Sequence, residues 1–268
     1  FIQSNPNTIV IHQPKNKGFI HSVNTGMAYS LNQVILLNSD TVVTKNWIEK
    51  LDTALFSSIA IGTATPWTNN GTICSFPDFC QDNDLPTKVT ADQLSEFAEK
   101  TCDDFYPSLP TAVGFCMAIK RELIEKIGLF DELTFGRGYG EENDFCMRAH
   151  QAGYLHILDN RTFIHHKGSL TFQDEKQQQL EANLTKLGQI HPDYFPMVEK
   201  FVADDPLKFH RERIKRLVEA QADQLPHILF FLHNDPIGNG LHLSGGTEHH
   251  VLEIAEHLNI HKLALAFI

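Results

Sequence analysis

Three small groups of residues have types and spacings that could do chemistry. Asn38, Ser39 and Asp40 follow a continuous apolar run at 34–37. A carboxylate at the end of a buried strand can hold a hard divalent cation, Mg2+ or Mn2+, whose remaining ligands come from substrate phosphates; the same Asp40 can equally cap the loop that follows. Glu141, Glu142 and Asp144 put three carboxyl groups into four positions behind the glycine-rich stretch 136–140. Mutual repulsion there raises the pKa of one of them toward general-base range. The competing reading is a solvated acidic helix start, favoured by the helix dipole. His165 and His166 end a β-branched and aromatic run. Successive strand residues face opposite ways, so one imidazole can complete a metal shell begun by Asp40, or both are surface histidines among the 15 of the chain.

The elements that must position these groups follow from hydrophobic spacing. Residues 9–11 and 34–37 read as buried strands, and Val23, Met27 and Leu31 between them lie on one face of a helix over 21–31. Strand, helix, strand predicts a βαβ unit and a parallel sheet. Thr44 is placed as the cap of a helix whose apolar face is Trp47, Ile48, Leu51 and Leu55, and a strand resumes at 59–61 before a loop at 66–77. Thr90 and Gln93 have the capping-box spacing. The apolar run 112–119, with Gly114 inside it, reads as a strand, followed by a short helix at 121–127 that Gly128 stops. A helix from Glu141 buries Phe145, Cys146 and Ala149, and two short strands follow at 155–158 and 162–165. Residues 173–224 turn to Gln, Glu, Lys and Arg with helical spacing, broken at Pro192, Pro196 and Pro206.

Composition narrows the possibilities further. A chain of 268 residues with 42% apolar content can bury a large core. Its net charge of −11 disfavours nucleic acid as a partner, and no apolar run approaches the roughly 20 residues that span a bilayer. Five scattered cysteines without a CxxC pair argue against a disulfide framework or a zinc ribbon and fit a reducing cytoplasm. The chain opens on Phe1 and stops within an apolar run at 264–268, which reads as a piece of a longer polypeptide.

In order and spacing these segments resemble the family 2 glycosyltransferases, in particular the bacterial rhamnosyltransferase-like members that build cell-surface polysaccharide. The matching residues are Asn16, Lys17, Gly18 and Phe19 with Asn24 beyond, the run into Asn38-Ser39-Asp40, and Gly128-Leu129-Phe130-Asp131-Glu132. They continue through Gly138-Tyr139-Gly140-Glu141-Glu142-Asn143-Asp144-Phe145, Arg148 and Gly153 to His166-Lys167-Gly168-Ser169. The resemblance implies a GT-A type α/β fold, with a mixed, mostly parallel sheet flanked by helices, over residues 1–172 and lacking its first strands. It also implies a nucleotide-sugar donor, a UDP- or dTDP-sugar, and Mn2+ or Mg2+ as cofactor. Asp40 and His166 inherit the metal, and Asn38, Asp40, Gly18, Asn24 and Gly114 the donor. Glu142 takes the position of the base, with Glu141 and Asp144 as neighbours that bind acceptor or order the loop. The expected reaction is metal-dependent, inverting hexosyl or rhamnosyl transfer to a glycan or lipid-linked acceptor hydroxyl. It would take place in the cytoplasm, at the inner face of the membrane where the acceptor is lipid-linked.

Residues 173–225 are expected to be a helical extension and connector. From residue 226 a strand at 228–232, a glycine loop at 238–246 and a helix burying Val251, Ile254, Ala255 and Leu258 resemble the opening of a family 4 glycosyltransferase with a Rossmann-like GT-B fold. Within the same segment Glu248, His249, His250 and His257 offer metal-binding residue types, without HExxH spacing. Two other functions stand beside transfer: a sugar nucleotidyltransferase, and a non-catalytic glycan-binding or scaffold module.

Overall fold

The computed structural model describes residues 8–103, 105–168, 174–223, 229–232 and 264–267. It divides into two compact units, residues 1–218 and 219–268. The first runs α1 (Phe19–Tyr29), β1 (Val34–Leu37), β2 (Thr41–Val42), α2 (Trp47–Leu55), β3 (Ile61–Trp67), α3 (Ala91–Thr101), β4 (Ser108–Leu109) and β5 (Cys116–Ile119). It continues with α4 (Arg121–Ile127), α5 (Glu132–Phe135), α6 (Glu141–Gln151), β6 (Leu155–Phe163), β7 (His165–His166), α7 (Asp174–Ile190), α8 (Tyr194–Asp204) and α9 (Lys208–Asp223), within which the division falls.

Five strands form one mixed sheet in the order β1-β5-β3-β6-β4. β3 pairs with β6 in parallel, whereas β5 runs antiparallel to both β1 and β3, and β4 antiparallel to β6. Three strands, β1, β3 and β6, therefore point one way and two run against them. Side-chain alternation divides the core between the two faces. Met117 and Ile119 of β5 pack with Ile20, Phe135, Phe145 and Ala149 from the α1 and α6 side. Cys116 and Ala118 of the same strand pack with Leu51, Ala54 and Leu55 of α2 on the other. A third cluster, around Trp67, Phe76 and Phe163, draws in Leu94 of α3 and Ile214 of α9.

Several local expectations change. Residues 9–11 form no strand, and Ile9, Val10 and Ile11 are exposed; among the described residues nothing pairs with the outer edge of β1. α2 starts after Asn46, in left-handed conformation, because the Thr44 hydroxyl is spent on the Phe163 carbonyl at 2.8 Å. Ile48 points to solvent, so the buried face of α2 is Leu51, Ala54 and Leu55. β3 begins at Ile61, with Ile59 exposed, and extends through Pro66 into the stretch expected to be loop. A proline is tolerated there because β5 pairs with β3 only at Thr63 and Ala64, so no ladder bond on that side is lost at position 66. β5 is shorter than expected, since Gly114 and Phe115 form a turn. Residues 155–163 are one strand rather than two. The capping box at Thr90 and Gln93 and the helix at Arg121–Ile127 ending on Gly128 agree with the sequence reading.

The helical segment after residue 173 is built into the first unit: Leu187 and Tyr194 sit in the core with α6, and Leu207 and Ile214 in the core with Trp67. Pro196 falls in the first turn of α8, where its missing N–H costs no helical bond. In the second unit β8 (Leu229–Leu232) pairs in parallel with β9 (Ala264–Phe267). The glycine loop at 238–246, the helix burying Val251 and the residues Glu248, His249, His250 and His257 lie outside the described residues. No described helix is long and apolar enough to cross a membrane.

The two faces of α2 make a direct test. Leu51→Ala empties a fully buried position and should cost about 2–5 kcal/mol. Ile48→Ala, on the exposed face, should change stability by no more than about 0.5 kcal/mol. Urea unfolding of the two variants of the full chain would check the assignment.

Candidate functional site

Strand direction gathers the site. β1, β3 and β6 end at one edge of the sheet, where Asn38, Asn70 and the β7 histidines follow, and β5 starts at that edge, directly after Gly114 and Phe115. A cavity of about 840 Å3 opens there, lined among others by Gly18, Asn38, Asn70, Gly114, Glu142 and His166. Its size suits a nucleotide-sized ligand.

Asp40 and His166 meet across a two-stranded ladder, in which Thr41 pairs with His166 and Val42 with His165. Their side chains come within 3.3 Å, Oδ1 to Nε2. The His166 ring is held on every side. Its Nδ1 donates to the Asn70 carbonyl at 2.7 Å, its face stacks on Phe115 at 5.4 Å between centroids, and its backbone N–H donates to Asn69 Oδ1 at 2.8 Å. With Nδ1 carrying the proton, Nε2 presents its lone pair beside Asp40 and 3.4 Å from Asn38 Nδ2. One imidazole nitrogen and one carboxylate oxygen at this separation fit two neighbouring positions of a hard divalent cation's shell, with phosphate and water supplying the others. No cluster of three or more His, Cys, Asp or Glu suited to a metal occurs among the described residues, so the protein's share of such a shell is this pair.

The same cavity is lined by the start of α6, which begins with its acids. Gly140 is its N-cap in left-handed conformation, and Glu141 and Glu142 occupy the first turn, where the helix dipole favours them. Glu142 is pressed against the β5 turn: a Cβ on Gly114 would lie 1.7 Å from Glu142 Oε2. Desolvation in this seat, with the nearby Glu141 and Cys146 adding to it, pushes the Glu142 carboxyl up to about 8, opposed only by a hydrogen bond from the Gly114 backbone. Glu141 is 4% exposed, and burial raises its carboxyl too, against backbone N–H groups of Glu141 and Tyr139 that pull the other way. Its Oε2 has no hydrogen-bond partner.

Four of the expected site residues also carry structural contacts. Asp144 is not among the lining residues: it is buried between Arg148, 2.8 Å away, and His191, 2.9 Å away, a placement that suits the ordering role of the two expected for it. Asn24 is likewise turned inward, its amide donating to the Phe130 carbonyl at 2.9 Å and accepting from the Phe130 N–H at 3.1 Å. It fixes α1 to the turn before α5. Gly114 lines the cavity, but its lack of a side chain serves Glu142 directly. Gly18 is also structural in part: its φ is 99°, and a Cβ there would meet the Arg137 backbone at 2.9 Å. The sequence reading passed over Asn70, Phe115, Arg137 and Gln179, all of which line the cavity. Asn70 stands three residues after the end of β3, in the same place relative to its strand as Asp40 to β1, and that spacing was the available signal.

Residues 1–128 match the family model for Glycosyl transferase family 2. Gly18, Asn24, Asn38, Asp40 and Gly114 lie inside the matched stretch, and Glu141, Glu142, Asp144 and His166 beyond it. No curated protein sequence matches the chain. Among solved structures, it aligns with that of GalNAc-T7 with UDP, GalNAc and Mn2+, at 14% identity and a TM-score of 0.47, over 76% of this chain and 42% of the other. It also aligns with the mannosyltransferase PcManGT from Pyrobaculum calidifontis in complex with GDP-Man and Mn2+, at 13% identity and a TM-score of 0.42, over 94% of this chain and 63% of the other. The chain thus spans less than two thirds of the length of either.

The half-buried Glu142 carboxyl has a thermodynamic signature. The folded protein keeps a proton on Glu142 that the unfolded chain releases in the ordinary carboxylate range, so the stability from this group is full in acid and is lost as pH rises to about 8. Glu142→Gln, which cannot ionise, should match the parent near pH 4.5 and gain on it steadily to pH 8, read as the difference in melting temperature across pH. Gly114→Ala, which displaces the carboxyl from its seat, should flatten the same pH dependence.

Proposed function

We propose that this protein transfers a sugar from a nucleoside diphosphate donor to an acceptor hydroxyl, with inversion at the anomeric carbon. The observation that carries the reading is the meeting of two unlike groups on one cavity: the Glu142 carboxyl, whose proton affinity is raised to about 8, and the His166 imidazole, with the Asp40 carboxylate 3.3 Å from the ring though not itself among the lining residues. The family 2 match over residues 1–128 supports it from the sequence side.

Glu142 is the base. A carboxylate of ordinary acidity is a weak proton acceptor, whereas one tuned to about 8 takes a hydroxyl proton far more readily near neutral pH. Asp40 and His166 would hold Mn2+ or Mg2+, which when bound supplies positive charge against the departing nucleoside diphosphate. Asn38, whose amide lies 3.4 Å from His166, and Gly18 border the donor space. A base and a leaving-group site on one cavity suit a single displacement, and on that ground we read the reaction as inverting.

The donor we favour is a UDP- or dTDP-sugar, hexosyl or rhamnosyl, and the acceptor a glycan or lipid-linked saccharide of a cell-surface polysaccharide. We place the reaction in the cytoplasm, at the membrane's inner face for a lipid-linked acceptor. The segment from residue 226 we read as the start of a second, GT-B-like transferase domain.

Nucleoside diphosphate release should be measured with a panel of UDP-, dTDP- and GDP-sugars, Mn2+ or Mg2+, and a mixed glycan acceptor pool. Metal-dependent release is expected from one donor class. Glu142→Gln should lose about 10²- to 10⁴-fold in kcat while retaining donor binding. Because the base must be deprotonated, kcat/KM of the parent should climb with pH and level off above about 8. Full turnover by Glu142→Gln would refute the assignment of the base.

A further inference from the structure

The glycine loop before α6 has little to hold it by itself. Gly136, Gly138, Tyr139 and Gly140 all have positive φ, at 63°, 140°, 73° and 96°. Such a run is open to many conformations, and ordering it costs backbone entropy at each glycine. Yet the loop delivers Glu141 and Glu142 to the cavity, and a shift of about 1 Å in a reacting group can cost on the order of 10²-fold in rate.

The fixing contacts come from α7, some forty residues later. Asn183 is 3% exposed, and its side-chain amide spends both hydrogens on the loop: Nδ2 donates to the Phe135 carbonyl at 2.9 Å and to the Gly138 carbonyl at 2.8 Å. Its Oδ1 accepts from Lys186 Nζ at 3.1 Å, and the same ammonium donates to the Thr134 carbonyl at 3.2 Å. Gln179 Nε2 adds a bond to the Gly138 carbonyl at 3.3 Å. At the far end of α7, His191 holds Asp144 in the first turn of α6. One helix thus grips both the loop and the helix start between which Glu141 and Glu142 stand.

We infer that Asn183 is the positioning residue of the base: by bridging the Phe135 and Gly138 carbonyls from α7, it selects the loop conformation that seats Glu142 against Gly114. The segment after residue 173 is then part of the catalytic apparatus and not a connector. The inference rests on Glu142 being the base, as proposed above.

Asn183→Ala and Lys186→Met are compared with the parent in the full chain. Lys186 is exposed and lies outside the cavity lining, so its variant folds even if loss of the buried amide proves disruptive. Two readouts are taken: amide hydrogen exchange over residues 134–142, and kcat and KM for the donor as nucleoside diphosphate release, across pH. Asn183→Ala should speed exchange in 134–142 at least about 10-fold while leaving the amides of β3 and β5 protected. Its kcat should fall about 10- to 100-fold with donor KM unchanged, and the pH at which the rate levels off should move down as the carboxyl becomes more hydrated. Lys186→Met should shift both readouts in the same direction by less. A merely structural amide would lower stability without moving the pH profile or the exchange pattern, and that result overturns the inference. Loss of turnover in Glu142→Gln with parental kinetics and exchange in Asn183→Ala also overturns it and leaves the base assignment standing. Turnover retained in Glu142→Gln sinks the base assignment, and the positioning role with it.

Discussion

A carboxyl group pressed against a residue that has no side chain is the constraint from which the rest of this site follows. Glu142 occupies the volume that any Cβ at position 114 would need. The contact joins the first turn of α6 to the turn before β5, two elements that both line the cavity. Holding a carboxyl there is unfavourable by itself, since desolvation opposes its ionisation. It must therefore be held by other interactions, and the surrounding polar network has that form. Arg148 and His191 clamp Asp144 one half-turn along the helix, and Asn183 takes both loop carbonyls. The Asn24 amide pairs with Phe130 at the root of the same loop.

The surroundings of His166 are organised by a different device. β2 and β7 are only two residues each, far too short to be stable alone, and they lie outside the main sheet. They persist because Asn69 bridges the backbone on both sides of His166, accepting its N–H at 2.8 Å and donating to its carbonyl at 3.0 Å. Phe115, next to Gly114, stacks on the same imidazole. The turn that makes room for Glu142 thus also supports His166, so both halves of the chemistry are referred to one short stretch of backbone ahead of β5. That sharing explains why 112–119 is not a strand throughout. Val113 and Ala112 spend their N–H groups on the Thr65 hydroxyl and the Cys146 sulfur instead of on a ladder.

Where local chemistry was decisive, the sequence was sufficient. The Thr90 capping box, the Gly128 stop and the continuous apolar run of β1 are written in neighbouring residues, and all three appear in the structure. Asn38, Asp40, Glu142 and His166 could be singled out by residue type at the ends of predicted elements. Sequence reasoning failed where a side chain's partner was distant. Thr44 has every local qualification for a cap, but Phe163, 119 residues away, takes its hydroxyl. Ile48 has the right spacing for the buried stripe, yet the sheet meets α2 on the Leu51 and Leu55 side.

The same division applies to function. From the sequence alone came the residue types that chemistry requires and their order along the chain, because acidity, ligand preference and helix or strand tendency are properties of residues and their near neighbours. Only the tertiary structure decided which of three crowded carboxyls is desolvated and which is ion-paired. Asp144 and Glu142 are two residues apart in sequence but face Arg148 with His191 and Gly114 respectively. Only the fold brought Asp40 to His166 and Asn183 to Gly138, across 126 and 45 positions. A carboxyl's proton affinity and an amide's choice of carbonyl depend on what lies within a few ångströms, and at such separations along the chain only the closed fold sets those distances.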